Sequence, residues 1–307
     1  MKQGLLSCII FFSCYCSIAQ IPKVSAGMIR RFENFSSTYV LPRNIDVWLP
    51  DGYTLSKKYA VLYMQDGRSL FDSAIVWNHQ EWGVDEVLGK LLAQKKIRNC
   101  IVVGIWNTET TRHNEYLPQT PFESLTGAEQ DTILKARRAD GQPVYKEYTI
   151  QSNNYLHFLV QELKPFIDSA FSTLRDRQNT FIAGSSMGGL ISLYAICEYP
   201  EVFGGAACLS THWTGIFRAI NNPFPGAMMK YISIHLPSPR NHKIYFDYGT
   251  QTLDTLYRPF QQKADIIMGA KGYNSKNWIT KEFPGADHSE RSWNKRLDIP
   301  VTFLLKK

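Results

Sequence analysis

The stretch Ala183-Gly184-Ser185-Ser186-Met187-Gly188-Gly189-Leu190 contains two adjacent serines among three glycines. The residues before it, TFIA at 180–183, form an apolar run typical of a short buried strand, and LISLYAI at 190–196 begins a helical pattern. The stretch is therefore a strand-to-helix turn with the spacing G-x-S-x-G. In such a turn the central serine has a strained backbone and an exposed hydroxyl group. This spacing selects Ser186, not Ser185, as the candidate nucleophile.

The partners that a serine nucleophile needs are expected downstream. A base must take the hydroxyl proton, and its expected place is after the last strand, where His288 lies. His212 is the competing candidate for the base, but it follows the sixth strand and not the last one. The orienting carboxylate is expected after the preceding strand, where Asp254 lies in the loop, and Asp247 within that strand is the alternative. The order Ser186, Asp254, His288 is that of the α/β-hydrolases.

An oxyanion hole is also required, because the tetrahedral intermediate carries a negative charge. One donor is expected to be the backbone N–H of Met187, which follows the nucleophile. The second is expected in the loop after the third strand, which begins Gln65-Asp66-Gly67-Arg68. A glycine permits a turn that points an amide inward, and the N–H of Arg68 is the predicted donor. An ordinary surface turn is the alternative.

The hydrophobic pattern of the whole chain predicts an α/β fold. Strands are predicted at 28–37, 43–49, 59–64, 100–106, 180–183, 206–210, 243–248 and 277–283. Helical patterns at 82–94, 154–171, 190–199 and 254–269 alternate with them. We therefore expect the α/β-hydrolase fold: a mostly parallel eight-stranded sheet with an antiparallel start and helices on both faces. A single domain is expected over residues 20–307.

Residues 112–153 break this alternation, because they are rich in charged and turn residues and show no clear strand. We expect an insertion over the carboxyl edge of the sheet, partly helical around 129–138. It is either a lid that shapes the pocket or a solvated excursion.

Several side chains near that edge are candidates for substrate binding. Arg112, Glu115 and Tyr116 follow the fourth strand, and they either clamp a polar substrate or pair with one another to anchor the insertion. Trp213 follows the sixth strand and either stacks on a sugar or aromatic acid or packs against the insertion. The sequence contains no metal-ligand cluster, phosphate-binding loop or dinucleotide motif, so neither a metal nor another cofactor is expected.

The N-terminus predicts export. Lys2 precedes an apolar run at 5–18, and small residues follow, as in a signal peptide over residues 1–19. The mature protein would be secreted or periplasmic, without stable membrane insertion. A lipid anchor at Cys14 or Cys16 is the alternative.

The rest of the composition is that of a packed globular protein, with 44% hydrophobic residues. The formal net charge of +7 is scattered along the chain, so no nucleic-acid partner is expected. Three cysteines remain after the signal, and each lies in an apolar run that predicts a buried thiol: Cys100, Cys197 and Cys208.

The chain resembles the putative-esterase family. The resemblance covers about residues 28–305 and is carried by Tyr63-Met64-Gln65-Asp66-Gly67, Leu70-Phe71-Asp72, the segments 112–118 and 184–190, and Gly285-Ala286-Asp287-His288-Ser289-Glu290 with Trp293 and Arg296. That family includes carbohydrate esterases of the feruloyl and acetyl-xylan type, esterase D, enterochelin esterases and mycolyltransferases. The resemblance implies serine esterase chemistry, with the second oxyanion amide after the Asp-Gly pair, at Arg68. Asp66 and Gly67 of that pair join the candidate substrate-binding residues.

One feature departs from the family pattern. In the commoner family spacing the carboxylate follows Gly-Thr within two or three residues, whereas Gln251-Thr252-Leu253 intervene here before Asp254. Asp247 therefore remains the alternative candidate for the carboxylate that orients His288.

Together these features predict an exported serine esterase whose partner is a small-molecule or polysaccharide ester, with a feruloyl or acetyl group on a carbohydrate as the first choice. Hydrolysis of a siderophore trilactone and acyl transfer to a sugar are the enzymatic alternatives. A catalytically silent binding module is the non-enzymatic one.

Overall fold

The computed structural model describes residues 20–146 and 149–306. It contains one eight-stranded sheet with the order β1-β2-β4-β3-β5-β6-β7-β8. The strands are β1 (Met28–Phe35), β2 (Arg43–Leu49), β3 (Ala60–Met64), β4 (Cys100–Ile105), β5 (Thr180–Ser185), β6 (Gly205–Leu209), β7 (Lys243–Gly249) and β8 (Trp278–Phe283). Each predicted strand corresponds to one of them, and the predicted α/β class is confirmed.

The sheet is parallel from β4 through β8 and antiparallel at its start, where β2 runs against both β1 and β4. Strands β3, β4, β5 and β6 are buried along their whole length. Apolar clusters cover them on both faces, which explains why their sequences are continuous apolar runs rather than alternating ones. The carboxyl ends of the parallel strands consequently share one edge.

The helices lie on the two faces of the sheet and over that edge. They are α1 (Val84–Ala93), α2 (Arg112–Tyr116), α3 (Gln119–Glu123), α4 (Gly127–Leu134), α5 (Ser152–His157), α6 (Lys164–Ala170), α7 (Met187–Glu198), α8 (Phe224–His235), α9 (Arg258–Ala270), α10 (Glu290–Asn294) and α11 (Asp298–Leu305). A π-helical turn, Phe158–Leu163, joins α5 to α6.

Helix α8 was not predicted, because its sequence FPGAMMKYISIH contains a proline, a glycine and β-branched isoleucines, which are weak helix formers. Tertiary packing compensates, since Phe224, Met228 and Ile232 are completely buried in the core.

The insertion packs against the rest of the molecule and is not a solvated excursion. Phe122, Ile133 and Tyr145 are buried in the main apolar cluster. The Tyr145 hydroxyl donates to the carbonyl of Gly215 over 2.7 Å, which ties the insertion to the loop after β6. The insertion therefore forms one wall at the carboxyl edge of the sheet.

The predicted signal peptide, with Cys14 and Cys16, lies outside the described residues. Within residues 20–146 and 149–306, no helix has the length and apolar character needed to cross a membrane. Cys100, Cys197 and Cys208 are buried free thiols, as predicted, and burial raises the pKa of Cys100 to about 12.

Candidate active site

Ser186 occupies the turn between β5 and α7 with φ 56° and ψ −124°. A positive φ is strained for a residue with a side chain, so the surrounding structure must stabilise it. Its N–H donates to Leu209 O over 2.9 Å, and its carbonyl accepts the N–H groups of Leu190 and His212, each at 3.1 Å. Hydrogen bonds from the end of β6, the loop after it and α7 thus fix the strained residue.

The close approach of β5 and α7 behind Ser186 requires glycine. A Cβ atom on Gly184 would lie 2.6 Å from the carbonyl of Gly188 and 2.8 Å from the Gln65 side chain. Ser185, by contrast, is the last residue of β5 and only 4% exposed. The structure therefore places Ser186, and not its neighbour, at the accessible position of the turn.

His288 and Asp254 meet at the same edge. The imidazole Nδ1 lies 2.5 Å from Asp254 Oδ1, and the other carboxylate oxygen accepts the N–H of Gly249 at 2.5 Å and the Ser210 hydroxyl at 2.7 Å. Asp254 is completely buried, whereas His288 is partly exposed. A carboxylate on Nδ1 holds the proton there, which leaves Nε2 free to accept one.

The loops that carry these two residues are joined to each other. The N–H groups of Thr250 and Gln251 both donate to Ala286 O at 3.0 Å, and the His288 N–H donates to the Thr252 hydroxyl at 2.9 Å. Thr252 also begins the short 3-10 helix, Thr252–Leu256, that contains Asp254. The three extra residues before Asp254 thus form a turn that carries the carboxylate to His288.

Asp247 has a different set of partners. It is completely buried in β7, and Arg296 donates to both of its oxygens, at 2.9 and 3.1 Å. The Tyr245 hydroxyl donates to the same carboxylate at 3.0 Å. Burial raises the pKa of Asp247, and the Arg296 charge opposes that shift. The carboxylate that contacts His288 is Asp254, and Asp247 pairs with Arg296.

Ser210 connects these two carboxylate sites, and the sequence offered no signal for it. Its hydroxyl oxygen accepts from Trp293 Nε1 and from Arg296 Nη2, each at 3.0 Å. Because both neighbours can only donate, the single Ser210 proton is directed to Asp254. The Trp293 ring also contacts His288 edge-on, with ring centroids 5.1 Å apart. Trp293 is therefore a core residue that also supports the imidazole.

Tyr257 is a second site residue that sequence reasoning missed. Its hydroxyl lies 2.7 Å from His212 Nδ1, and its ring centroid is 5.8 Å from that of His288. Burial raises the pKa of Tyr257, and the nearby Ser186 side chain opposes that shift. Burial lowers the pKa of His212 to about 3, and electrostatic interactions with the neighbouring His288 and Arg112 act in the same direction. His212 is consequently a neutral, buried packing partner of the nucleophile turn.

The two predicted oxyanion donors belong to separate elements. Met187 is the first residue of α7, so its N–H has no acceptor within the helix. Arg68 lies in the short 3-10 turn Gly67–Ser69, which begins after Asp66 in the left-handed conformation, φ 57°. A Cβ on Gly67 would lie 2.6 Å from the carbonyl carbon of Gly104, so only glycine lets this loop rest on β4.

Asp66 and Arg112 form an ion pair that supports the same loop. Arg112 donates through Nε and Nη2 to the two carboxylate oxygens, each over 2.7 Å, and Asn107 Nδ2 donates to Asp66 Oδ1 over 2.5 Å. Both side chains are partly exposed. Their charges are already paired, so they hold the loop at the rim of the site.

Three predicted substrate-binding residues are buried. Glu115 is buried and bound in a fork by Arg43, with two contacts of 2.8 Å. Tyr116 and Trp213 have no exposed surface, and the Trp213 indole donates to Gln261 at 3.1 Å. These positions favour structural roles over substrate contact, although Glu115 and Trp213 bind Arg43 and Gln261, which lie outside the insertion. Across the described part of the chain, no group of His, Cys, Asp and Glu side chains could hold a metal ion.

Known proteins similar to this chain include esterases. The Arabidopsis thaliana protein Carboxylesterase SOBER1 is 27% identical over 173 residues, which are 56% of this chain and 59% of that protein. The enterobactin esterase FES of Shigella flexneri superposes with a TM-score of 0.65 at 16% identity, covering 92% of this chain and 60% of that one. The ferulic acid esterase AmCE1/Fae1A of Anaeromyces mucronatus gives a TM-score of 0.60 at 21% identity, covering 92% and 93%.

At such low identity the two structural similarities show the fold alone. The chain spans 58% to 59% of the length of the curated relatives it matches first. A family model described as "Putative esterase" matches residues 36–303, from just after β1 into α11. The chain therefore belongs to this esterase family.

Proposed function

We propose that the protein is an exported serine carboxylic-ester hydrolase that works through an acyl-enzyme on Ser186. The observation that carries the proposal is the 2.5 Å contact between His288 Nδ1 and Asp254 Oδ1, at the sheet edge where β5 ends in the strained Ser186. Membership of the esterase family supports ester hydrolysis. Export rests on the signal-like sequence of residues 1–19.

In the acylation half-reaction, Ser186 Oγ attacks the ester carbonyl while His288 Nε2 takes its proton. The Asp254 carboxylate holds the proton on Nδ1 and stabilises the imidazolium that forms. The N–H groups of Met187 and Arg68 stabilise the oxyanion of the tetrahedral intermediate. Collapse of that intermediate breaks the ester C–O bond, and His288 gives its proton to the departing alcohol.

In the deacylation half-reaction, His288 Nε2 takes a proton from water, whose oxygen attacks the acyl carbonyl. The same two amides stabilise the second oxyanion. Collapse then releases the carboxylic acid and returns the proton to Ser186.

For the substrate we propose a carbohydrate-linked ester of the feruloyl or acetyl type. The fold shared with a ferulic acid esterase along nearly the whole chain supports this choice. A siderophore trilactone is the second candidate, supported by the fold shared with an enterobactin esterase and by the net charge of +7, which suits an anionic complex.

A fluorophosphonate probe tests the nucleophile, because it reacts covalently with activated serines. The parent protein and the Ser185→Ala variant should be labelled and should hydrolyse nitrophenyl acetate, whereas Ser186→Ala should do neither. Ser185→Ala is the matched control, because the two serines are adjacent and only one has the strained conformation. Retained labelling in Ser186→Ala, or none in the parent protein, would refute the proposal.

A substrate panel then separates the two candidates. Methyl ferulate, acetylated xylan, short nitrophenyl esters and a ferric trilactone siderophore are compared by kcat/KM. Preference for the first two supports the carbohydrate ester, and preference for the trilactone supports the siderophore.

A further inference from the structure

An exposed aromatic side chain lies beside the nucleophile turn, on the side of the insertion. Phe217, in the loop after β6, keeps 40% of its surface exposed. Its ring centroid lies 5.4 Å from that of His212, whose backbone N–H is bound to the Ser186 carbonyl. His212 thus connects the Phe217 ring to Ser186, and the proposed mechanism assigns no role to Phe217.

Cationic side chains surround this ring. The Arg138 guanidinium carbon lies 5.5 Å from the Phe217 ring centroid. Arg137 and Arg218, the chain neighbours of these two residues, line an open groove of about 510 Å³. The one carboxylate of that groove, Asp131, pairs with Lys135 at 2.7 Å. The groove is therefore positively charged, and two of its residues are the chain neighbours of Arg138 and Phe217.

Other carboxylates that the structure describes near this cluster have partners of their own, and Asp140, two residues after Arg138, accepts the N–H of Gln142. Asp66 is paired with Arg112, Glu109 with Arg68, and Glu290 accepts from Asn78. In the part of the chain that the structure describes, no carboxylate pairs with Arg138 or Arg218.

The partly buried His113 lies beside the same cluster. Its ring lies 6.2 Å from that of Phe217. Burial lowers its pKa well below the usual range, and the positive charges of Arg112 and Arg138 lower it further. The charge of Arg138 thus acts on a residue whose ring contacts Phe217.

We propose that Phe217, Arg138 and Arg218 form a subsite for an ester whose alcohol part carries a carboxylate, that is, an ester of an acidic saccharide. The inference rests on the proposed hydrolase function of Ser186. A guanidinium group binds a carboxylate through two parallel N–H donors, and its donor edge stays free when its face covers an aromatic ring. The Phe217 ring supplies an apolar face for a sugar ring between the reacting ester and the arginines.

A matched pair of substrates tests the subsite. The 2-O-acetyl and 2-O-feruloyl esters of methyl galactopyranoside and of methyl galactopyranosiduronate, the methyl glycoside of galacturonate with its carboxylate free, differ only in whether C5 carries a hydroxymethyl group or a carboxylate. We expect kcat/KM to be higher for the galacturonate esters by about fivefold or more at low salt, as for one or two partly exposed ion pairs. The ratio should approach one as salt rises from about 0.01 M to about 1 M, because the screening length falls from about 30 Å to about 3 Å.

Charge-removing variants locate the effect. Arg138→Gln and Arg218→Gln should each lower the galacturonate-to-galactoside ratio, by about threefold. Lys263→Gln, on the exposed surface of α9, is the matched control and should leave the ratio and the activity unchanged. Equal kcat/KM for the two sugars, or a ratio that neither arginine variant changes, would overturn the subsite.

Two further outcomes are distinguishable. If neither sugar ester is hydrolysed and the fluorophosphonate probe leaves Ser186 unlabelled, the proposed hydrolase function itself fails. If the ferric trilactone is hydrolysed with the same dependence on Arg138 while the sugar esters show no charge preference, the subsite binds another anion and the acidic-saccharide assignment is wrong.

Discussion

Exchanging each candidate acid for its amide separates the two carboxylates near the site. Asp254→Asn preserves size, but an amide cannot act as a carboxylate toward His288 Nδ1, which Asp254 contacts at 2.5 Å. The imidazole then loses the partner that fixes its tautomer. In serine hydrolases with this arrangement, such a change lowers kcat by about 10⁴-fold, which is about 5 kcal/mol of transition-state stabilisation.

The Asp254→Asn variant should remain folded. The remaining amide oxygen can still accept one of the hydrogen bonds that Gly249 and Ser210 now donate. We expect a loss of about 1–3 kcal/mol in the free energy of unfolding, the cost of one buried polar group left without its partner.

Asp247→Asn should have the opposite profile. It removes the charge that neutralises Arg296, whose side chain is nearly completely buried. An unpaired buried charge costs about 3–5 kcal/mol, so the free energy of unfolding should fall by that amount. Asp247 has no contact with His288, so kcat per folded molecule should stay within about tenfold of the parent, the loss that one displaced hydrogen bond allows.

The assay pairs urea unfolding with nitrophenyl acetate hydrolysis, both at 25 °C and with kcat corrected for the folded fraction. An inactive but stable Asp254→Asn beside an active but unstable Asp247→Asn is the expected result. A reversal, in which Asp247→Asn is stable and inactive, would refute the assignment of Asp254.

Three other predictions address neighbouring residues. Ser210→Ala deprives Trp293 and Arg296 of an acceptor and Asp254 of a donor. We therefore expect kcat/KM to fall about tenfold and the free energy of unfolding to fall by about 2 kcal/mol. Thr211→Ala, at the next position in the chain, is the control and should retain the kcat/KM of the parent protein. His212 has a pKa of about 3 in the folded protein and an ordinary value of 6.5. Between these two pH values only the unfolded state binds a proton at this residue. His212 should therefore lower the free energy of unfolding by about 1.4 kcal/mol for each unit by which the pH falls. His212→Asn should remove that contribution in urea titrations at pH 5 and pH 7, and an unchanged difference would contradict it. Glu115→Gln leaves the buried Arg43 unpaired and should destabilise the protein by about 3–5 kcal/mol with KM unchanged; a raised KM at full stability would restore Glu115 as a substrate contact.

The strands and the turn around Ser186 could be predicted from the sequence because their signals are local. A buried parallel strand is a continuous apolar run, and each of the central strands contains one. The turn around Ser186 needs small residues where β5 and α7 approach, so its glycines are visible in the sequence. His288 could be predicted for a related reason, since the order of strands determines which loops share an edge.

Helix α8 shows where local signals fail. Its proline, glycine and isoleucines disfavour a helix, and only the burial of Phe224, Met228 and Ile232 against the rest of the core stabilises it.

Contacts between distant residues decided the remainder of the site. Chain position left Asp247 and Asp254 as alternatives, and only the hydrogen bonds that join the loops at Thr252 and Ala286 bring Asp254 to His288. Ser210 and Tyr257 occupy ordinary loop positions, so their contacts depend on residues 44 and 45 positions away.

Contacts with distant residues also explain why two candidate substrate-binding residues are buried. Glu115 and Trp213 follow strands at the correct edge, yet Arg43 and Gln261 draw them into the interior. Local pattern thus determined which segments become strands and where the strained serine turn lies. Side-chain pairing across the folded sheet decided which charges are buried with partners, and which, such as Arg138, remain on the rim.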